Sequence, residues 1–129
     1  MRLVLVRHAE AAPGVPDELR TLTPHGREQA RRLGQDLRAR GITADAVVSS
    51  PLLRARETAG ALGLGEPEPL DELAPGATED DVRSAIAGRG DTVVVVGHQP
   101  DCGRIAAALG DGVEPPFPPA GVAVLELHA

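Results

Sequence analysis

The apolar residues of the chain gather in short runs that are separated by longer segments of mixed character. Runs at residues 3–6, 45–48, 92–96 and 122–127 predict β-strands, because they have the length of strands and are rich in valine and leucine. The first run is apolar at every position and the third at all but its first, which is typical of parallel strands buried on both faces. The pattern predicts a sheet whose central strands lie inside the molecule.

Helices are predicted between these strands, and most of them open on a capping signal. Serine or threonine followed by proline or by acidic residues suits a helix start, since the hydroxyl accepts a hydrogen bond from a free amide. Glycine suits a helix end. The predicted helices open at Thr23-Pro24, Ser50-Pro51, Thr78 and Pro100, and they end near Gly41, Leu62, Gly88 and Leu109.

Strands that alternate with helices predict an α/β fold in three layers, with a mainly parallel central sheet and helices on both faces. The remaining segments are loops. Residues 11–22 and 110–119 contain glycine and proline, and residues 63–77 are rich in both, with a short strand predicted near Pro69-Leu70. A chain of 129 residues has the size of one domain, so we expect a single domain over residues 1–129.

Composition and charge exclude several classes of function. All thirteen basic residues are arginine, and without lysine neither a Walker A loop nor Schiff-base chemistry is possible. A net charge of −6 disfavours nonspecific binding to nucleic acid or to an anionic membrane. The single cysteine, Cys102, excludes an internal disulfide, fits a reducing compartment, and is expected to pack in a helix. We expect a monomeric, cytoplasmic protein that binds neither nucleic acid nor membrane.

Three of the predicted strands end in residues that bind anions or act as nucleophiles. Arg7-His8 follows the first strand, Ser50 and Arg54 follow the second, and His98 follows the valine-rich strand. The carboxyl ends of parallel strands meet at one edge of a sheet, where α/β proteins bind ligands. Each of these groups alone is ordinary in an exposed loop. Their occurrence at three strand ends predicts an anion site that contains a histidine nucleophile.

Four short motifs are spread along the chain between residues 5 and 98. They are Leu-Val-Arg-His-Ala-Glu at 5–10, Leu-Thr-Pro-His-Gly-Arg-Glu-Gln-Ala at 22–30, Ser-Ser-Pro-Leu-Leu-Arg-Ala-Arg-Glu-Thr-Ala at 49–59, and Gly-His at 97–98. In content and order the motifs resemble those of the histidine phosphatase superfamily, also called phosphoglycerate mutase-like, with Glu57 where glutamine is usual. The short chain and its His98-Gln99-Pro100 sequence are similar to the SixA-type phosphohistidine phosphatases.

The resemblance implies a phosphoglycerate mutase-like fold and a phosphatase that needs no metal and no cofactor. It implies that His8 is the nucleophile and becomes phosphorylated. Arg7 and Arg54 are then expected to hold the phosphoryl oxygens with their forked donors, and His98 to donate a hydrogen bond to one of them. Nearby arginines are expected to lower the pKa of His8 and so to keep it neutral.

The resemblance also implies roles for residues outside this group of four. The segment from Leu70 to Gly76 aligns with the part of the family that carries a general acid, which places Glu72 in that position. Arg20, on the loop, and Ser50 are expected to contact substrate. The ordinary roles of such residues are a solvated charge for Arg20 and a helix cap for Ser50.

The absence of long insertions implies an open, shallow site that suits a phosphoryl group carried by a protein. The expected substrate is a phosphohistidine protein, and a small phosphoester is the alternative within the superfamily. Two other hypotheses are a noncatalytic phosphate-binding member and a metal site formed by His8, Glu10 and His98. The intact set of histidines and arginines argues against the first, and repulsion of a cation by Arg7 and Arg54 argues against the second.

Overall fold

The computed structural model describes residues 1–128, and its secondary structure follows the predicted alternation. The strands are β1 (Arg2–Arg7), β2 (Ala46–Ser49), β3 (Pro67–Pro69), β4 (Thr92–Gly97) and β5 (Val122–Glu126). The helices are α1 (Pro24–Ala39), α2 (Leu53–Ala61), α3 (Glu79–Ile86) and α4 (Asp101–Leu109). Within this range, short 3₁₀ turns at Asp17–Leu19 and Asp71–Leu73 lie in segments that were predicted as loops.

The strands form one sheet in the order β3-β2-β4-β1-β5. β1 and β4 are parallel neighbours, paired from Arg2 opposite Thr92 to Arg7 opposite Gly97. β2 and β3 extend the parallel part, whereas β5 pairs antiparallel with β1 at the edge. The prediction of a mainly parallel sheet is therefore confirmed, and the carboxyl ends of β1 and β4 lie side by side.

Helices cover both faces of the sheet, as predicted, and the structure places two on each face. Leu3 and Leu5 of β1 belong to the core beneath α3 and α4, where Val82 and Ile105 are also buried. The alternate residues of β1 belong to the opposite core, which contains Leu37 of α1 and buried alanines of α2. Because β1 and β4 are buried on both faces, they form a rigid support for whatever follows them in the chain.

The starts of α1, α3 and α4 follow the predicted signals. Thr23 accepts a hydrogen bond from the Gly26 amide at 2.9 Å and so caps α1. Thr78 and Asp81 form a reciprocal capping box at the start of α3. α4 begins directly after Pro100.

The predicted start of the second helix is wrong. Ser50 does not cap α2, which begins at Leu53 after an extended Leu52. The Ser50 hydroxyl instead accepts a hydrogen bond from the Leu52 amide at 3.2 Å and lies 2.7 Å from Nε2 of His98. A capping signal indicates only that a serine hydroxyl can accept a hydrogen bond from a nearby amide. Here the hydroxyl also contacts His98, a residue distant in sequence, and the helix begins three residues after Ser50.

Cys102 packs in α4, as predicted. Its side chain is buried, and this burial, with a smaller effect of the Asp101 charge, raises the pKa of the thiol to about 12. The thiol is therefore protonated at neutral pH and is a poor nucleophile. Within residues 1–128, no helix combines the length and the apolar character that crossing a membrane requires.

Candidate active site

The two histidines that follow β1 and β4 are neighbours. His8 follows Arg7 and His98 follows Gly97, and Arg7 and Gly97 are paired in the sheet. The His8 amide donates a hydrogen bond to the Gly97 carbonyl at 2.9 Å. The centroids of the two imidazole rings lie 5.3 Å apart, with the rings tilted by 58°. The structure thus brings together the histidines that the sequence placed at one edge of the sheet.

Hydrogen bonding orients His8 so that one ring nitrogen stays free. Nδ1 lies 2.7 Å from the carbonyl oxygen of Ala9. Because a carbonyl only accepts hydrogen bonds, Nδ1 carries the hydrogen and Nε2 of the neutral ring keeps its lone pair. Burial lowers the pKa of His8, against the opposing effect of the Ala9 bond. The charges of three arginines lower it further: Arg54, Arg7 and Arg20.

The start of α1 holds the segment that follows His8. The Glu10 amide donates to Oε1 of Gln29 at 3.0 Å, and the Glu10 carbonyl accepts from the Thr23 amide at 3.0 Å. A Cβ atom on Gly26 would lie 2.0 Å from that carbonyl oxygen, so a larger residue would force the helix away. The threonine, glycine and glutamine of the second motif therefore fix the chain beside the predicted nucleophile.

Thr58 of α2 connects the His8 segment to Arg54. Its buried hydroxyl accepts a hydrogen bond from the Ala9 amide at 3.0 Å and donates one to the Arg54 carbonyl at 2.8 Å. Thr58 belongs to the third motif, at 49–59, but the motif alone predicts no role for it. Its spacing was an available signal, because a residue four positions after Arg54 lies on the same face of a helix.

His98 is 5% exposed and neutral at physiological pH. Burial lowers the pKa of His98 to about 4, and the nearness of His8 and the charge of Arg54 act in the same direction. Nε2 is 2.7 Å from the Ser50 hydroxyl, whereas Nδ1 is buried without a hydrogen-bond partner. A neutral imidazole carries one N–H, so His98 can donate one hydrogen bond and accept another.

Three arginines lie close enough to His8 to lower its pKa, and two of them share a partner. Arg54 donates from Nη1 to the backbone carbonyl of Asp17 at 2.9 Å and from Nη2 to Oδ2 of Asp17 at 3.1 Å. Arg20 donates to Oδ1 of the same carboxylate at 3.1 Å. Arg7 donates from Nη1 to the Phe117 carbonyl at 3.0 Å.

Unpartnered buried atoms concentrate at this edge of the sheet. Within residues 1–128, the buried side-chain nitrogen and oxygen atoms without a hydrogen-bond partner are Nε of Arg7, Nε of Arg54 and Nδ1 of His98. The two arginine nitrogens are permanent donors. A buried unpartnered polar group costs about 1–3 kcal/mol, so its presence needs an explanation. Donors gathered beside a free imidazole nitrogen can bind an anion that accepts several hydrogen bonds.

Besides Thr58, two contributors to the site were not predicted from the sequence. Phe117 contributes its backbone carbonyl, which no pattern of side chains can reveal. Asp17 lies in a loop without periodicity, so its contact with Arg54 carried no signal in the sequence. Arg20, which was predicted on an open loop, is held there by the same carboxylate and by the Ala12 carbonyl.

Within residues 1–128, neither predicted acidic residue forms a hydrogen bond with the two histidines or with Arg7 and Arg54. Glu72 is exposed in the 3₁₀ turn after β3, and β2 separates β3 from β4. Glu10 accepts a hydrogen bond from the Thr23 hydroxyl at 2.8 Å. Over residues 1–128, no group of three or more histidine, cysteine, aspartate or glutamate side chains is placed to hold a metal ion. The hypothesis of a metal site at His8, Glu10 and His98 therefore gains no support.

Comparison with known proteins gives the family. The model of the histidine phosphatase superfamily (branch 1) matches residues 3–84. The chain belongs to this superfamily. An uncharacterized protein of Mycobacterium tuberculosis, Rv1276c, is 34% identical over 137 residues, which cover 95% of this chain and 87% of that protein. The phosphohistidine phosphatase SixA of Escherichia coli K12 is 32% identical over 127 residues, which cover 91% of this chain and 79% of SixA.

Solved structures agree with this assignment. A structure of the protein histidine phosphatase SixA complexed with tungstate matches with a TM-score of 0.86 and 27% identity, covering 96% of this chain and 86% of that chain. This histidine phosphatase superfamily hydrolase therefore has the phosphoglycerate mutase-like fold and is SixA-like in structure.

Proposed function

We propose that this histidine phosphatase superfamily member hydrolyses phosphohistidine on proteins through a covalent phosphoryl intermediate on His8. The state of His8 supports this proposal most directly. Its Nδ1 is bonded to the Ala9 carbonyl, Nε2 is free, and its pKa is lowered. Beside it lie buried arginine nitrogens without partners. A free imidazole nitrogen can attack phosphorus, and arginine donors can neutralise the phosphoryl oxygens.

In the first step, Nε2 of His8 attacks phosphorus while the bond from phosphorus to the leaving group breaks. Arg7 and Arg54 bind the equatorial oxygens, whose charge is the main barrier to transfer. His98 donates a hydrogen bond from its neutral ring to one of these oxygens. The electron pair of the broken bond stays with the leaving nitrogen or oxygen, which takes its proton from solvent or from a nearby acid.

In the second step, water attacks phosphorus and the bond to Nε2 breaks. The Ala9 carbonyl matters here, because it keeps the hydrogen on Nδ1 while Nε2 carries the phosphoryl group. The phosphorylated ring is then positively charged and leaves as a neutral imidazole. Both protons of the water depart with dihydrogen phosphate, and His8 returns to its starting state.

Two features support a phosphoryl group carried by a protein as the substrate. The loop that contacts Arg54 is open to solvent, with Val15 99% exposed and Leu19 63% exposed on either side of Asp17. A similar protein, SixA of Escherichia coli, is named a phosphohistidine phosphatase, and the matching SixA structure holds tungstate, a tetrahedral oxyanion like phosphate.

The test compares substrate classes in one assay. Release of inorganic phosphate is measured from a phosphohistidine peptide, a phosphoserine peptide and a small phosphoester, each with EDTA, for the wild type and for His8→Ala. We expect the fastest release from the phosphohistidine peptide and no turnover by His8→Ala on any substrate. Turnover by His8→Ala at the wild-type rate would reject His8 as the nucleophile.

Glu72→Gln separates phosphohistidine from phosphoesters. An alkoxide leaving group needs a proton, so loss of a general acid typically slows ester hydrolysis by about 10²–10⁴-fold. The departing imidazole of phosphohistidine is far less basic, and we expect its hydrolysis to slow by less than about tenfold. Asp71→Asn is the matched control, because Asp71 is an exposed carboxylate in the same 3₁₀ turn. Activity confined to small esters and abolished by Glu72→Gln would favour the small-molecule alternative.

A further inference from the structure

We propose that Asp17 is a specificity-determining residue, which competes with a bound phosphoryl group for Arg54 and Arg20 and so disfavours small free anions. This inference rests on the proposed function, because it takes the surroundings of His8 to be the phosphoryl site. It concerns the affinity of that site for anions, which can be measured without turnover.

The contacts of Asp17 resemble those that arginine makes with a phosphoryl group. Oδ2 and the backbone oxygen of Asp17 accept from Nη2 and Nη1 of Arg54 at 3.1 and 2.9 Å. Oδ1 accepts from Nη1 of Arg20 at 3.1 Å. Arginine binds phosphate oxygens through the same forked donors. The acidic residue therefore occupies donors on two arginines that also lie close enough to His8 to lower its pKa.

The burial of the two partners shows which of them belongs to the site. The Arg54 side chain is 8% exposed, whereas that of Asp17 is 61% exposed. The arginine is thus a fixed part of the interior, while the carboxylate reaches it from the solvent side on a short 3₁₀ turn. Hydrogen bonds from Arg20 and Arg54 lower the pKa of Asp17, so the carboxylate is ionised throughout the neutral range.

A negative charge at this position opposes every anion that enters, by repulsion and by occupying donors. A phosphoryl group on a protein can offset that opposition through further contacts between the two proteins. Inorganic phosphate and small phosphoesters have no such contacts. Asp17 is therefore expected to weaken binding of the small anions more than it weakens binding of the protein-borne group, and to favour release of the product.

Calorimetric titration with inorganic phosphate tests this directly. The variants are Asp17→Asn, which removes the charge but keeps an acceptor, and Asp17→Ala, which removes both. Glu18→Gln is the matched control, since Glu18 is an exposed neighbouring carboxylate of the same turn. We expect phosphate to bind Asp17→Ala about tenfold more tightly than the wild type, which corresponds to about 1.4 kcal/mol. Asp17→Asn should show an intermediate gain, and Glu18→Gln should bind like the wild type.

Several results would overturn the inference. Unchanged or weaker phosphate binding by Asp17→Ala would mean that the carboxylate positions the arginines rather than competes for them. An equal gain in Glu18→Gln would assign the effect to net charge alone. Lack of phosphate binding in all variants would show that these residues do not form a phosphate site.

Phosphate binding and phosphatase activity test the role of Asp17 and the proposed function separately. If Asp17→Ala gains phosphate affinity but the wild type shows no phosphatase activity, the role of Asp17 in anion binding is supported and the proposed function is rejected. In an active enzyme, Asp17→Ala should raise kcat/KM for a small phosphoester relative to a phosphohistidine protein. An unchanged ratio would contradict the role in specificity.

Discussion

The two ends of the sheet differ in how their polar groups are satisfied. At the amino end, the Asp45 carboxylate accepts hydrogen bonds from the Asp91 and Thr92 amides at 2.8 and 3.0 Å, and so ties the start of β2 to that of β4. At the carboxyl end, by contrast, buried nitrogens of Arg7, Arg54 and His98 have no partner. The same parallel strands thus have one end where polar groups are hydrogen-bonded and another where buried nitrogens have no partner.

This difference separates stability from function along a single element. Paired groups at the amino end lower the free energy of the folded chain, whereas unpaired buried groups raise it. A fold tolerates such unpaired groups where they serve a ligand. Substitutions at the carboxyl end should therefore reduce activity with little loss of stability, and substitutions at the amino end should do the opposite.

Removal of Arg54 should have the largest effect among the groups that assist His8. We expect Arg54→Ala to lower kcat/KM by about 10³-fold, the upper end for loss of one donor that stabilises transition-state charge. Thermal unfolding should change little. Arg83→Ala is the control for net charge, because Arg83 is exposed on α3 near Met1 and Leu127. Equal losses of activity in the two variants would contradict a local role for Arg54.

Removal of His98 should have a smaller effect of the same kind. We expect His98→Ala to slow turnover by about 10²-fold while phosphorylation of His8 is still detectable, since one charge-stabilising donor is lost and the nucleophile remains. Ser50→Ala should cause a milder loss, because it removes only the 2.7 Å partner of His98. Complete loss of labelling in His98→Ala would instead assign the nucleophile to His98.

Asp45→Ala tests whether the amino end of the sheet contributes to stability rather than to activity. It removes the acceptor of two amide hydrogen bonds, so we expect the free energy of unfolding to fall by about 1–2 kcal/mol. The kcat/KM should stay near the wild-type value at a temperature where the variant is folded. Denaturant unfolding and steady-state kinetics check both parts, and a loss of activity without a loss of stability would contradict the separation.

The pKa values of the histidines give the finest test. NMR titration of the free protein, with His8→Ala and His98→Ala used for assignment, should show both rings neutral at pH 7. The midpoint should lie near pH 4 for His98 and below 6.5 for His8. Because the unfolded chain binds these protons first, the free energy of unfolding should fall as the pH drops from 6.5 toward 4. A His8 midpoint at or above 6.5 would contradict the account of its surroundings.

The fold and the central residues of the site can be predicted from the sequence because both depend on regular strands and helices. Apolar runs locate β1 and β4, and parallel pairing then brings His8 and His98 together. Local signals fail where a tertiary contact decides the outcome. Ser50 resembles a helix cap but binds the Leu52 amide and lies against His98. The Asp17 contact, formed across a loop without periodicity, becomes visible only in three dimensions.

The central claim is a phosphoryl group on Nε2 of His8, and trapping the intermediate tests it most directly. The enzyme is mixed with a labelled phosphohistidine donor, quenched with alkali and cleaved after arginine. Cleavage at Arg7 and Arg20 releases a peptide whose single histidine is His8, whereas His98 lies in a different peptide, between Arg89 and Arg104. We predict an acid-labile, alkali-stable phosphoryl group on the His8 peptide in the wild type and none in His8→Ala. A label on the His98 peptide, or turnover without any label, would contradict the account.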